Sequence, residues 1–149
     1  MKTIHWKSLF IGLLLLVSTK NYAQEDYGNA LNAFLTLGGS PAIGGYYEFQ
    51  VVKSLTVAPE FRYYFVDGGD NYTAIGARAN YYFDTLLNLP EPWDIWAGPN
   101  VGWFVNYTET FGLAIHGGVG YKITEQFELI FEFGGGRALT TGFGLGIHF

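Results

Sequence analysis

Residues 111–123 read FGLAIHGGVGYKI, and this stretch alternates large apolar side chains with small or polar ones. Its odd positions include Phe111 and Leu113, whereas its even positions carry glycine, alanine, His116 and Lys122. Successive side chains of a β-strand point to opposite sides, so a period of two residues is typical of a strand whose two faces differ. The stretch therefore predicts a strand with one apolar face.

The same alternation recurs along the chain after residue 24, and no window shows the three- and four-residue apolar spacing of a helix. Short segments rich in glycine, proline, asparagine, aspartate and serine separate the alternating stretches, as hairpin connections require. Helices are not required. Eight strands are predicted: Asn29 to Gly38, Ala42 to Val52, Leu55 to Val66, Tyr72 to Asp84, Asp94 to Asn106, Phe111 to Ile123, Phe127 to Gly135 and Thr141 to Phe149.

The apolar face falls on the odd-numbered positions of all eight predicted strands, and none of those positions is charged. In a soluble sandwich the even positions would face water and would be rich in lysine, glutamate and threonine. They are instead rich in glycine and alanine, which suit the cramped interior of an eight-stranded barrel. A membrane barrel turns its apolar face outward. The predicted fold is all-β, an eight-stranded antiparallel up-and-down transmembrane β-barrel.

The charged residues within the strands are predicted to form a salt-bridge network in the lumen, because buried charges need partners. Hairpin geometry places Lys122 opposite Glu128 and Glu60 near Arg78. The alternative interpretation of these charges is a proton or ion path. The predicted network comprises Glu48, Glu60, Arg62, Arg78, Lys122, Glu128 and Glu132.

His116 and His148 could form an acid/base group or a metal site together with Glu132. Their spacing matches no ligand motif, and a hydrogen-bonded interior histidine is the preferred interpretation. No catalytic residue, metal site or cofactor is therefore predicted.

The first 23 residues are typical of a secretory signal peptide, with Lys2 and Lys7 before an apolar run from Leu9 to Val17. That run is less than half of the roughly 20 apolar residues needed to span a bilayer as a helix. Cleavage is predicted near Ala23. The domain organisation is thus a signal peptide over residues 1–23 and one barrel domain over residues 24–149.

Composition excludes several classes of protein. The chain has no cysteine, so disulfides, thiolate chemistry and a lipid-carrying N-terminal cysteine are excluded. Three of the eight basic residues lie in the signal peptide, whereas all 13 acidic residues follow it. Nucleic acid is therefore not an expected partner.

Residues 142–149, GFGLGIHF, resemble the closing strand of outer-membrane β-barrel proteins, which ends on an aromatic residue. Strand number, strand length and alternation over the mature chain are similar to those of the small OmpA/OmpX-like barrel family, a porin-like group. The resemblance implies an outer-membrane location, contact with outer-membrane lipid and recognition by the barrel assembly machinery. It implies as the assembly signal Phe143, Leu145, Ile147 and Phe149.

The leading hypothesis is a non-enzymatic outer-membrane barrel with a structural or surface-interaction role, whose surface ligand the sequence does not identify. One rival is a lipid-modifying enzyme, which needs a serine or threonine nucleophile beside a histidine and a carboxylate. The residue two positions after His116 is Gly118, which disfavours that chemistry. The other rivals are a narrow ion or small-solute channel and a soluble carrier with an apolar calyx.

Overall fold

A computed structural model describes residues 27–37, 40–108, 110–136 and 141–149. The predicted signal peptide, residues 1–23, lies outside the described residues. Eight strands and one short helix form within the described part of the chain. They are β1 (Ala30–Thr36), β2 (Ala42–Val52), β3 (Leu55–Tyr64), β4 (Tyr72–Tyr82), α1 (Asp84–Leu87), β5 (Trp93–Val105), β6 (Phe111–Lys122), β7 (Phe127–Gly136) and β8 (Gly142–His148).

The strands form one closed antiparallel barrel in which each strand pairs with the next along the chain. β1 also pairs with β8, with Leu31 opposite Ile147, and this ladder closes the sheet. A closed sheet has no edge strand, so its ladders can satisfy backbone groups without water. The predicted eight-stranded up-and-down barrel is confirmed.

The two ends of the barrel differ in the connections that they carry. We call one end the loop end and the other, where β1 begins and β8 finishes, the terminal end. The strand ends that flank residues 37–41, 65–71, 106–110 and 137–141 lie at the loop end, and the connections 53–54, 83–92 and 123–126 lie at the terminal end.

Side chains divide between the two faces of the sheet by the parity of their residue numbers. Every buried polar or charged residue in the described ranges is even-numbered, including Glu60, Arg78 and His116. The exposed large apolar side chains of the strands are odd-numbered, except Val52 beside a turn. A register slip of one residue would exchange the two faces, so the alternation strongly specifies the register.

The connection between β4 and β5 differs from the sequence-based prediction. A strand was expected to run to Asp84 without any helix, whereas β4 ends at Tyr82 and Asp84 begins α1. The Asp84 carboxylate accepts a hydrogen bond of 2.6 Å from the Ile95 N–H and so ties α1 to the start of β5. Asn88 ends the helix in the left-handed conformation, with φ of 52°. A single helical turn is too short to produce a helical apolar period.

No helix in the described ranges is long and apolar enough to cross a membrane.

Two prolines interrupt the ladders on either side of the β3–β4 hairpin. The pairing between β2 and β3 skips Pro59, and the pairing between β4 and β5 skips Pro99. Proline has no backbone N–H and cannot donate a hydrogen bond to the neighbouring strand. Since a closed barrel offers no edge for such a residue, each proline leaves a local gap in a ladder.

Candidate functional site

The outer surface of the barrel is an apolar belt formed by the odd-numbered side chains of the strands, which we call the outer belt. Ile75 is 55% exposed on it, Leu113 is 64% exposed and Phe131 is 51% exposed. Monomeric soluble proteins rarely expose contiguous apolar patches larger than a few hundred Å². A belt that encircles a barrel is the surface that membrane barrels present to lipid.

Aromatic rings pair at both ends of the outer belt. Such rings are typical of the interfacial girdles of membrane barrels, where an amphipathic ring meets both lipid and water. The ring centroids are separated by 5.2 Å in Tyr63–Phe65 and 5.4 Å in Trp103–Phe111 towards the loop end, and by 5.0 Å in Tyr81–Phe83 and 4.9 Å in Trp93–Tyr121 towards the terminal end.

A forked ion pair between Arg78 and Glu132 joins β4 to β7 across the middle of the lumen. The Arg78 Nη2 lies 2.8 Å from Glu132 Oε1, and Nη1 donates to Oε2 at 3.1 Å. The Tyr46 hydroxyl also donates to Glu132, at 2.8 Å, while its ring lies 4.1 Å from the Arg78 guanidinium carbon. Arg78 Nε donates to Asn80 at 3.2 Å. Such bidentate, charge-assisted contacts are among the strongest polar interactions in proteins.

A second group lies around Glu60. Its carboxylate accepts hydrogen bonds from Arg62 Nε and from the Asn100 amide. The Arg62 guanidinium carbon lies 4.5 Å from the centre of the Phe34 ring, in cation–π geometry. This group connects β1, β3 and β5 through the interior.

A third group surrounds Glu48 and contains no cation. The Asn32 amide donates to the Glu48 carboxylate at 3.0 Å, and the Tyr82 hydroxyl donates to it at 2.9 Å. The Thr56 hydroxyl is a further donor. Several donors from neighbouring strands can stabilise a buried carboxylate as a counter-ion does.

The fourth group lies towards the terminal end and contains Lys122 and Glu128. These residues stand opposite each other in the β6–β7 ladder, as the hairpin geometry predicted. The Lys122 ammonium lies 3.3 Å from an Asp94 carboxylate oxygen, and Glu128 lies 2.9 Å from the His148 imidazole. Backbone opposition is therefore not the same as ion pairing, because each interior side chain can contact either of its two neighbouring strands. Lys122 on β6 binds Asp94 on β5, and Glu128 on β7 binds His148 on β8.

The seven charged residues predicted for the lumen all lie on the inner face, where six are buried and Lys122 is partly exposed. They fall into the four groups described above. The expected proximity of Glu60 and Arg78 gives no direct pair, because Glu60 binds Arg62 and Arg78 binds Glu132.

Several interior polar residues were not predicted from the sequence. Those in strands are even-numbered, and even-numbered strand positions face the interior, so their numbers alone place their side chains inside. Asp84 and Asp94 were treated as strand ends rather than as interior acids. The missed residues are Asn32, Thr56, Asn80, Asp84, Asp94 and Asn100.

The two histidines have separate partners. His116 Nε2 lies 2.6 Å from the Asn80 side-chain oxygen, whereas His148 binds Glu128. Glu132 binds Arg78 and Tyr46, so these contacts do not assemble the candidate acid/base group. Among the described residues, no cluster of three or more histidine, cysteine or acidic side chains could hold a metal ion.

Aromatic side chains fill the lumen at both ends. Towards the loop end, Tyr64 stacks on Tyr72 at 4.5 Å, and Phe104 packs against both. Towards the terminal end, Tyr27 stacks on Tyr82 at 4.1 Å. The lumen is therefore closed by rings above and below the ion pairs.

A cavity beside Glu60, Arg62 and Asn100 has a volume of about 10 Å³. This is close to the minimum needed to hold one water molecule. A larger cavity of about 570 Å³ lies at the terminal end, where Tyr27, Lys122 and His148 line it together with turn residues. A packed, polar interior of this kind is the opposite of an apolar calyx.

Glycine is required where an aromatic ring presses against the inner wall. A Cβ atom at Gly118 would overlap the Trp96 indole, which is itself buried. We expect Gly118→Val to lower the free energy of unfolding by about 1–3 kcal/mol, the usual cost of overpacking. Urea titration of the refolded barrel, followed by tryptophan fluorescence, measures this change.

Gly135→Val is the matched control, because a Cβ at Gly135 has no heavy atom within 4 Å. This variant is expected to unfold at the urea concentration of the parent protein. Equal effects of the two substitutions would contradict the packing account.

The closed ladder, the outer belt and the filled lumen define the class of protein. The fold is that of the small eight-stranded outer-membrane β-barrels, so the resemblance predicted from the sequence is confirmed at the level of fold.

No family profile and no curated protein matches the sequence. Solved structures do match it. The chain is similar to the N-terminal β-barrel domain of OprF from Pseudomonas aeruginosa, with 17% identity and a TM-score of 0.67 over 85% of this chain and 100% of that chain. It is also similar to Neisserial surface protein A, with 18% identity and a TM-score of 0.52 over 81% of this chain and 94% of that one.

A de novo designed transmembrane β-barrel matches as well, with 11% identity and a TM-score of 0.62 over 83% of this chain and 97% of the designed one. At these identities the likeness establishes the fold alone.

Proposed function

We propose that the protein is an integral β-barrel of the bacterial outer membrane, with a structural or surface-interaction role and no catalytic activity. The outer belt is the observation that carries this proposal. An apolar surface that runs around the whole barrel requires lipid contact to be stable, and a closed ladder allows β-structure to cross the hydrocarbon. Export through a signal peptide cleaved near Ala23 would deliver the chain to this membrane.

The packing of the lumen favours a structural role over conduction. The Arg78–Glu132 pair spans the middle of the barrel, and stacked rings lie on both sides of it. An ion would have to displace both the rings and the ion pair in order to pass.

The partners of the two histidines favour a role without catalysis. His116 contacts the Asn80 amide and His148 contacts the Glu128 carboxylate. Neither contact supplies the hydroxyl nucleophile that a lipid hydrolase needs.

The short connections at the loop end support an envelope role rather than a large receptor surface. These connections span 37–41, 65–71, 106–110 and 137–141. Binding sites of barrel proteins are commonly built on long loops, because loops can vary while the barrel stays rigid.

The decisive experiment is cell fractionation, followed by detergent extraction and gel electrophoresis with and without boiling. The protein is expected in the outer-membrane fraction, and the unboiled sample is expected to migrate differently from the boiled one. A protein that is monodisperse without detergent would overturn the proposal.

Two further measurements separate the proposed role from its rivals. Lipid mass profiles of cells with and without the gene are expected to be identical, and planar-bilayer recordings are expected to show no conductance. A changed lipid profile would support the enzyme, and stepwise conductance would support the channel.

We extend the proposal to assembly, with Phe143, Leu145, Ile147 and Phe149 as the signal read by the barrel assembly machinery. Phe149 is 75% exposed, and its backbone N–H donates to Asn29 at 2.9 Å. Its side chain is therefore accessible while its backbone extends the β1–β8 closure.

Phe149→Ala is expected to reduce the yield of heat-modifiable barrel in cells several-fold, while refolding of the purified chain into detergent proceeds as in the parent. Phe133→Ala is the control, because it removes another exposed phenylalanine, 51% exposed, from the outer belt. Equal yields of the two variants in cells would count against the signal.

A further inference from the structure

The β4–β5 connection is unusually apolar for a surface turn. Leu86 is 73% exposed and Leu87 is 55% exposed, both within α1. The other connections at the terminal end are more polar: one consists of Lys53 with Ser54, and in the other, residues 123–126, the exposed Ile123 is followed by Thr124, Glu125 and Gln126. Turns that face water are normally polar. Contact with an apolar surface would therefore stabilise these exposed leucines.

The connection is held in a defined position. Asp84 is buried, and its carboxylate binds the Ile95 N–H. The Leu87 N–H donates to the Phe83 carbonyl at 2.8 Å, and the Leu89 N–H donates to the Asp84 carbonyl at 3.0 Å. These bonds fix the backbone of α1 while leaving its leucine side chains exposed.

The two leucines continue the outer belt beyond the ends of the strands. The Tyr81–Phe83 ring pair precedes α1, and Trp93, which is 45% exposed, follows the connection. Aromatic residues at this height are typical of the boundary between hydrocarbon and headgroups. An apolar segment flanked by such rings matches the chemistry of that boundary.

We infer that α1 is an interfacial anchor, whose Leu86 and Leu87 side chains insert between the lipids of the leaflet at the terminal end. This inference rests on the proposed membrane location. We expect lipid, rather than another protein, to cover these leucines, because they continue the outer belt. The bilayer that covers Tyr81 and Trp93 also reaches the connection between them. Insertion would set the depth and rotation of the barrel on this side.

Because the chain has no cysteine, single-cysteine labelling can test the inference directly. Leu86→Cys and Leu87→Cys are each labelled with a nitroxide in the full barrel, refolded into phosphatidylcholine vesicles. Electron paramagnetic resonance then compares collision of the label with oxygen, which concentrates in lipid, and with a water-soluble nickel chelate. The heat-dependent gel shift verifies that each variant is folded.

Two control positions make the outcomes distinct. Ile75→Cys reports the outer belt, and Lys53→Cys reports a polar turn at the same end. The ratio of oxygen to nickel accessibility at Leu86 and Leu87 is expected to be several-fold higher than at Lys53 and to approach that at Ile75.

A ratio like that of Lys53 would overturn the anchor while leaving the membrane location intact, provided that Ile75 reports lipid. Low accessibility to both reagents would also overturn it, because α1 would then be packed against protein. A water-like ratio at Ile75 would refute the proposed membrane location itself.

Discussion

Arg78→Ala is expected to lower the free energy of unfolding by about 3–5 kcal/mol, the usual cost of leaving one member of a buried ion pair alone. The Glu132 carboxylate would lose both guanidinium contacts and would keep only the Tyr46 hydroxyl among the partners described above. The Tyr46 ring would lose its stacked cation as well. Urea titration of the refolded barrel, followed by the heat-dependent gel shift, measures the effect.

The double variant Arg78→Met with Glu132→Leu is the control, because it removes both charges together. It is expected to be more stable than Arg78→Ala, since a buried pair can be replaced by apolar groups at little cost whereas an unpaired charge cannot. A single variant as stable as the parent would mean that the ion pair does not hold β4 and β7 together.

Phe131→Arg is expected to lower the free energy of unfolding in vesicles by about 2–4 kcal/mol, the range for a cation at the bilayer midplane on the lipid face of a barrel. Phe131 lies near the middle of β7, with half of its side chain exposed on the outer belt. The same titration in phospholipid vesicles measures the change.

Ile123→Arg provides the depth control, because Ile123 is the exposed first residue of the turn that follows β6 at the terminal end. Its cost is expected to be at most about 1 kcal/mol, since a charge near the interface can reach water. If both substitutions were harmless, the outer belt would not lie in hydrocarbon.

The sequence allowed the number of strands, the direction of their faces and the closed barrel to be predicted. This was possible because each strand alternates apolar and small or polar residues over enough positions to identify its own inner face. Chain order then places each strand beside the next through a short connection. Glu128 and Glu132 could thus be placed on the inner face without knowledge of any contact.

The partners of these charges were harder to predict than their positions. Arg78 and Glu132 lie on β4 and β7, which are not neighbours in the ladder, yet their side chains meet across the lumen. Hairpin register placed Lys122 opposite Glu128 on β7, but it does not decide which of its two neighbouring strands a side chain contacts. Lys122 binds Asp94 on β5, where Asp94 stands opposite Gly120. α1 escaped prediction because one turn leaves no periodic signal.

The prolines on both sides of the β3–β4 hairpin bear on how the barrel opens. Amide hydrogens exchange with deuterium when a ladder separates locally, and separation begins where the fewest bonds must break. The β5–β6 pairing runs without a gap from Trp93–Tyr121 to Trp103–Phe111, whereas the β2–β3 pairing skips Pro59 and the β4–β5 pairing skips Pro99. Amide exchange is therefore expected to start along the β2–β3 and β4–β5 ladders and to reach the β5–β6 ladder last. The β3–β4 hairpin would then be the part of the barrel that separates first when the sheet opens locally.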